Sequence, residues 1–96
     1  MKTLDEIKSV LAQHKEELAD KYKVSQIGVF GSYIRGEQGE KSDVDILVEF
    51  KEPIGLKFTE LAEFLESILG VKVDLVSKGA VKPNRWKYIE EDLIYV

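Results

Sequence analysis

Two acidic residues, Asp43 and Asp45, open a strongly apolar run that ends at Phe50. Residues two apart on a strand project from the same face, so these carboxylates should lie together. At a separation of about 4 Å two such charges repel by roughly 4 kcal/mol at an effective dielectric of 20, which favours a bound cation or a raised pKa. Oxygen ligands with no nearby Cys or His favour Mg²⁺ or Mn²⁺ over zinc.

A third acid, Asp74, lies within the alternating run 71–76. If this strand lies beside the one that carries Asp43 and Asp45, the three acids can meet. Two-metal phosphoryl chemistry uses such an arrangement, with one ion on the attacking oxygen and the other on the leaving phosphate. The sequence therefore predicts two Mg²⁺ ions bound by Asp43, Asp45 and Asp74, with Asp74 also activating the acceptor hydroxyl.

Gly31 and Ser32 lie between the apolar run 24–30 and a short helical segment that ends at Arg35. Glycine lets an anion approach the backbone, and the first turn of a helix presents unpaired N–H groups and a positive dipole end. The Ser32 hydroxyl can cap the helix or donate to a phosphate oxygen. The sequence therefore predicts a phosphate-binding turn at Gly31 and Ser32, with Arg35 as a further phosphate contact.

Each of these motifs alone has an ordinary structural explanation. A Gly-Ser pair is usually a turn, and an Asp-x-Asp pair is usually a solvated strand edge or a loop. Their joint occurrence with a third acid on a later strand favours an active site. The sequence has no P-loop or dinucleotide-binding glycine pattern, and Asp43 and Asp45 lack the glycine and the late glutamate of an EF-hand.

With Gly31, Ser32, Asp43, Asp45 and Asp74 in this order, the chain resembles the minimal nucleotidyltransferases of the DNA polymerase β superfamily, called MNT domains. The resemblance covers almost the whole chain. It implies a nucleotidyltransferase fold, similar to the polymerase β palm, and ATP as the substrate. It also implies that the glycine-serine pair contacts the triphosphate, that the spaced aspartates hold metal, and that Asp74 is a third ligand or a base.

The resemblance also implies a biological role. MNT proteins resemble the MntA-like antitoxins of prokaryotic HEPN/MNT toxin–antitoxin systems, whose members can transfer AMP from ATP to a tyrosine of a HEPN ribonuclease toxin. We therefore expect a Mg²⁺-dependent protein adenylyltransferase that silences such a toxin by AMPylation. The alternative is a non-catalytic antitoxin that occludes its partner. A transferase of the aminoglycoside type is weaker, because the chain has no second domain to form a drug pocket.

Composition sets the remaining limits. The chain has 96 residues, 44% of them hydrophobic and 33% charged, with no cysteine and a net charge of −4. This length favours a single domain over 1–96. No membrane-spanning or signal-peptide pattern is present, so we expect a cytoplasmic protein with no membrane partner. The negative charge argues against an extended nucleic-acid surface, whereas a small nucleotide with its metal remains compatible.

Hydrophobic periodicity predicts an α+β fold. Thr3 and Glu6 form a capping box ahead of a first helix, 4–22. The elements that follow are predicted as strand 24–30, short helix 33–35, loop 36–42, strand 43–50, helix 56–69, strand 71–76, loop 77–84, helix 85–92 and a short edge strand. We expect helices packed on one face of a small mixed sheet and the three aspartates on its open face. A partner, or a second copy in a homo-oligomer, would then complete the site.

Overall fold

A computed structural model of the chain describes residues 2–39 and 42–96, and the predicted loop 36–42 includes 40 and 41, which lie outside these ranges. The order of elements matches the prediction except in the first helix. The helices are α1 (Leu4–Gln13), α2 (Lys15–Tyr22), α3 (Ser32–Arg35), α4 (Lys57–Leu69) and α5 (Pro83–Asp92). The strands are β1 (Val24–Phe30), β2 (Val44–Phe50), β3 (Val73–Ser77) and β4 (Ile94–Tyr95), and a 3₁₀ turn (Lys78–Ala80) follows β3.

The predicted continuous helix 4–22 is wrong, because the chain breaks at His14 into α1 and α2. The predicted capping box is present, with the Glu6 amide donating to the Thr3 hydroxyl at 3.2 Å. At the break, a ring nitrogen of His14 lies 2.9 Å from the Val10 carbonyl, and the His14 amide donates to Leu11 instead. The side chain therefore takes the carbonyl that a continuous α-helix would pair with the His14 amide.

The four strands form one mixed sheet in the order β3-β2-β1-β4. β1 pairs antiparallel with β2 and with β4, whereas β2 pairs parallel with β3. In this sheet β2 is a central strand, and its two neighbours are the strand that leads into Gly31 and the strand that carries Asp74. The topology therefore brings the three predicted motifs to adjacent strands.

The main core lies on one face of the sheet, between the strands and helices α1, α2 and α4. Alternate residues of β2 point into it and are fully buried: Val44, Ile46 and Val48. Because strand residues alternate between faces, Asp45 must project from the opposite face. The predicted assignment of the apolar and acidic faces of β2 is therefore confirmed by the burial pattern.

The second face, which we expected to be open, is partly covered by α5. Trp86, Ile89 and Leu93 recur at helical spacing and pack with Phe30 and Leu47, which project from the same face as Asp45. The C-terminal apolar residues thus form a second, smaller cluster beside the acidic site. Only part of this face remains available to a substrate.

The last helix begins earlier than predicted, at Pro83 instead of residue 85. Proline lacks an amide donor, but the first residue of a helix needs none, and the fixed φ of proline suits that position. Pro83, which the predicted loop 77–84 included, therefore starts α5. In residues 2–39 and 42–96, no helix is both long and apolar enough to cross a membrane.

Candidate active site

Asp45 and Asp74 lie side by side on the second face of the sheet. They are direct partners in the parallel register between β2 and β3. Neighbouring strands lie about 4.8 Å apart, so the two carboxylates are held next to each other by the ladder itself. The predicted approach of Asp74 to the Asp-x-Asp motif is therefore present in the fold.

This arrangement changes the acidity of Asp45. Burial raises the pKa of Asp45 to about 6, and the neighbouring Asp74 carboxylate, a hydrogen bond with it, and the charge of Asp43 act in the same direction. The positive charge of Arg35 opposes the increase. The ionised form of a half-buried carboxyl group with two acidic neighbours is unfavourable, and a bound cation would stabilise it.

Gly31 lies directly against the Asp45 carboxyl group. Phe30 and Asp45 are partners in the β1–β2 ladder, so the residue after Phe30 passes beside the Asp45 side chain. A Cβ added at Gly31 would lie 3.0 Å from the Asp45 carboxyl carbon and closer still to Oδ2. The backbone there has φ 81° and ψ −148°, a conformation that is essentially restricted to glycine. The turn at Gly31, predicted to bind phosphate, and the acidic pair are therefore in contact.

Asp43 and Ser32 flank this contact without joining it. Asp43 is exposed and lies one residue before β2. Ser32 is half-buried and begins α3, but its hydroxyl does not cap that helix. Within the two described ranges, no three His, Cys, Asp or Glu side chains surround a point where an ion would sit. The roles assigned to Asp43 and Ser32 stay predictions.

Arg35, predicted as a phosphate contact, pairs with two carboxylates. Its guanidinium donates to Glu37 at 2.9 Å and also to Asp92, near the end of α5. Both pairs raise the pKa of Arg35. The Asp92 pair connects α3 to α5, so a phosphate contact by Arg35 would have to share or replace these partners.

Two cavities flank the acidic pair, and both involve α5. A groove of about 730 Å³ has Asp74 on its wall and continues along β3 to Arg85. A smaller pocket of about 200 Å³ is lined by Gly31, Arg35, Arg85, Tyr88 and Asp92. Sequence reasoning missed the α5 residues, although Arg85, Tyr88 and Asp92 have the same helical spacing as the buried stripe of that helix.

The side chains at this site carry oxygen donors, which divalent cations such as Mg²⁺ prefer. The donors are oxygen atoms of Asp45 and Asp74, with Asp43 nearby on the same chain segment, and their mutual repulsion is the physical reason for a cation. The missing Cβ of Gly31 leaves the space that the Asp45 carboxyl group occupies. Paired carboxylates can, in general, bind a cation or accept a proton from a hydroxyl group.

The raised pKa of Asp45 predicts a pH dependence of stability in the metal-free protein. The usual pKa of 3.8 applies to the unfolded chain and about 6 to the folded one, so the folded state holds the proton more tightly. The stability gained from this is complete below about pH 4 and is lost as the pH rises through 6. Because Asp45 is only half-buried, we expect this change in the free energy of unfolding to be about 1–2 kcal/mol.

Urea unfolding at several pH values in EDTA measures this effect. The Asp45→Asn variant should lose that share of the pH dependence, whereas Asp20→Asn, an exposed change on α2, should keep it. If the wild-type and Asp45→Asn curves run parallel between pH 4 and 7, the carboxyl group of Asp45 does not titrate as described.

Comparison with known sequences identifies relatives along the whole chain. The profile of the nucleotidyltransferase domain family matches residues 11–96. A protein of Methanocaldococcus jannaschii, provisionally named a protein adenylyltransferase, is 62% identical over 98 residues, covering 100% of both chains. The protein adenylyltransferase MntA of Thermococcus cleftensis is 54% identical over 97 residues, covering 100% of this chain and 98% of that one.

Comparison with solved structures identifies chains of similar fold. A structure described as a minimal nucleotidyltransferase has a TM-score of 0.73 and 33% identity, covering 92% of this chain and 93% of that one. A toxin–antitoxin crystal structure with AMP-PNP has a TM-score of 0.71 and 28% identity, covering 86% of this chain and 69% of that one. The predicted α+β fold with a mixed sheet is confirmed.

Proposed function

Because the chain belongs to the nucleotidyltransferase domain family, we propose that it transfers AMP from ATP to a tyrosine hydroxyl of a HEPN-family toxin and so acts as an antitoxin. The relative from Thermococcus cleftensis is named a protein adenylyltransferase, which supports a protein acceptor. The toxin–antitoxin complex that contains AMP-PNP supports both ATP and a toxin partner. We place this reaction in the cytoplasm, where ATP and such a partner would meet.

One observation carries the proposal: Asp45 pairs in register with Asp74 while its carboxyl group lies against Gly31. A structural turn would not require an acidic neighbour in close contact. A structural Asp pair would normally avoid direct like-charge pairing across a ladder, which destabilises a sheet. The Gly31 turn and the Asp pair together suit a site in which the positive charge of a metal ion balances the negative charges of phosphate and carboxylate groups.

In the proposed reaction, the tyrosine oxygen attacks the α-phosphorus of ATP. The bond from that phosphorus to the oxygen bridging to the β-phosphate breaks, and pyrophosphate leaves. Asp74 accepts the tyrosine proton, while the Gly31 and Ser32 turn holds the phosphate chain in line for attack. Orientation and charge stabilisation supply most of the rate increase in phosphoryl transfer, and both are assigned here to residues on rigid strands or at their ends.

Mg²⁺, with Mn²⁺ as a substitute, is the cation we propose for Asp43, Asp45 and Asp74. When bound, it would neutralise phosphate charge and polarise the reacting oxygens. Two ions fit the number of carboxylates, provided that the exposed Asp43 side chain turns toward the other two. The oxygen-only donor set supports this choice over zinc.

The partner would complete the site. α5 covers the second face beside Phe30 and Leu47, whereas Asp74 is exposed and lies on β3 at the edge of the sheet. A protein acceptor can therefore reach Asp74 from the open side of β3. A second copy of the chain is the other candidate for this wall, and the mass of the complex in solution would distinguish them.

Labelled ATP provides the test. The chain is incubated with Mg²⁺ and a HEPN-family toxin, using ATP labelled at the α-phosphate or, as the matched control, at the γ-phosphate. AMP transfer should label the HEPN protein only from the α-labelled ATP, and changing the acceptor tyrosine to phenylalanine should remove the label. No label with either Mg²⁺ or Mn²⁺ would contradict the proposed reaction.

The same experiment separates catalysis from occlusion. If the chain silences its partner by AMPylation, the double variant Asp43→Ala/Asp45→Ala should still bind the toxin but no longer inhibit it. If inhibition survives in this variant, the chain acts by covering its partner, and the acidic site serves another purpose.

A further inference from the structure

Arg85 is the residue that connects the two cavities of the site. It lines the groove that contains Asp74, and it also lines the smaller pocket that contains Gly31 and Arg35. It is exposed and lies in the first turn of α5. Its position is therefore between the proposed base and the proposed phosphate turn.

The packing of α5 holds this position. Trp86 and Ile89 pack against the sheet face that carries the acidic pair, with Ile89 buried to 3% exposure. Arg85 and Tyr88 precede these two residues by one position each, so they lie on the adjoining stripe of the helix, which faces the pocket at Gly31. At the other end of the helix, the Asp92–Arg35 ion pair joins α5 to α3. The guanidinium of Arg85 is thus carried by an element anchored at both ends.

The two arginines near Gly31 differ in what they already bind. Arg35 is paired with Glu37 and Asp92. In the described portion of the chain, the ion pairs include none that involves Arg85. An arginine can offer two parallel N–H donors to a phosphate, and Arg85 can do so without giving up an existing ion pair.

From these contacts we propose that Arg85 binds the phosphate chain of ATP at the boundary between the nucleotide pocket and the acceptor groove. This proposal rests on the proposed function and assigns to α5 a part of the site that the acidic and glycine motifs do not contain. The groove on the Asp74 side is then the acceptor side, and the pocket at Gly31 is the nucleotide side.

The effect of Arg85 on binding is measured with AMP-PNP and Mg²⁺ by calorimetry. Loss of a charge-assisted hydrogen bond to phosphate corresponds to about a 10–100-fold weaker affinity, which we expect for Arg85→Ala. Arg85→Lys should recover only part of it, because a lysine keeps the charge but cannot form the paired contact. The matched control is Lys87→Ala, which removes the same charge from an exposed position of the same helix that lines neither cavity.

Unfolding curves accompany these measurements, since an exposed arginine without a structural role should leave the melting temperature unchanged. If Arg85→Ala and Lys87→Ala bind AMP-PNP equally well, Arg85 is not a phosphate contact. If the wild-type chain itself binds no AMP-PNP with either Mg²⁺ or Mn²⁺, nucleotide binding fails, and this proposal fails with it. Normal wild-type binding with no effect of Arg85→Ala overturns the assignment of Arg85 alone.

Discussion

Replacing Asp45 with asparagine should reduce AMP transfer by at least 10²–10³-fold, the order of magnitude found when one preorganised charge-stabilising group is removed from an active site. Asparagine has the same shape but no negative charge, so it would hold a divalent cation poorly. Initial rates with α-labelled ATP and the HEPN partner measure the loss. Asp20→Asn, the exposed control on α2, should keep the wild-type rate.

The same substitution should leave the protein folded and, without metal at pH 7, more stable than the wild type. The charged form of Asp45 is disfavoured by burial and by Asp74, so removing the charge removes that destabilising contribution. Circular dichroism and urea unfolding in EDTA provide the check. An inactive but destabilised Asp45→Asn protein would indicate that the carboxylate supports the fold, contrary to its proposed role in catalysis.

Replacing Gly31 with alanine should be nearly as damaging to activity, for a steric reason. The new Cβ would collide with the Asp45 carboxyl group, and the backbone there would be strained by about 1–3 kcal/mol. Relief of the collision must move either the turn or the carboxylate. A displacement of about 1 Å in a site of this kind can lower the rate by 10²-fold, so we expect a loss of that order together with reduced stability.

Gly36→Ala is the matched control, because Gly36 also has a positive φ, 70°, but an added Cβ would meet nothing within 4 Å. It should carry a conformational penalty of about 1–2 kcal/mol and keep most of the activity. Denaturation and AMP transfer are measured for both variants. Equal losses of activity in Gly31→Ala and Gly36→Ala would show that backbone strain, rather than the contact with Asp45, explains the effect.

Local patterns were sufficient to predict much of this chain. Alternation along β2 assigned Val44 and Ile46 to the core and Asp45 to the other face, and the Thr3–Glu6 capping box marked the start of α1. These predictions depend only on neighbours within a few residues, where backbone geometry alone decides which side chains share a face. The fold class followed from the same patterns, together with the family resemblance.

Local patterns failed where distant or competing contacts decide the structure. The His14 side chain competes for a helix carbonyl, which splits the predicted first helix. The charges of Arg35 and Asp92, 57 positions apart, meet only because α5 folds over the second face.

The site shows the same division. Glycine and aspartate spacing identified Gly31, Asp45 and Asp74 as candidates, since each motif is local. Their contact depends on the parallel pairing of β2 with β3 and on the position of β1 beside β2. Arg85 came into view only with the packing of α5, because no short-range pattern encodes which strand a helix will cover. Residue types and short spacings indicate which chemistry the chain can perform, whereas long-range packing decides which groups meet.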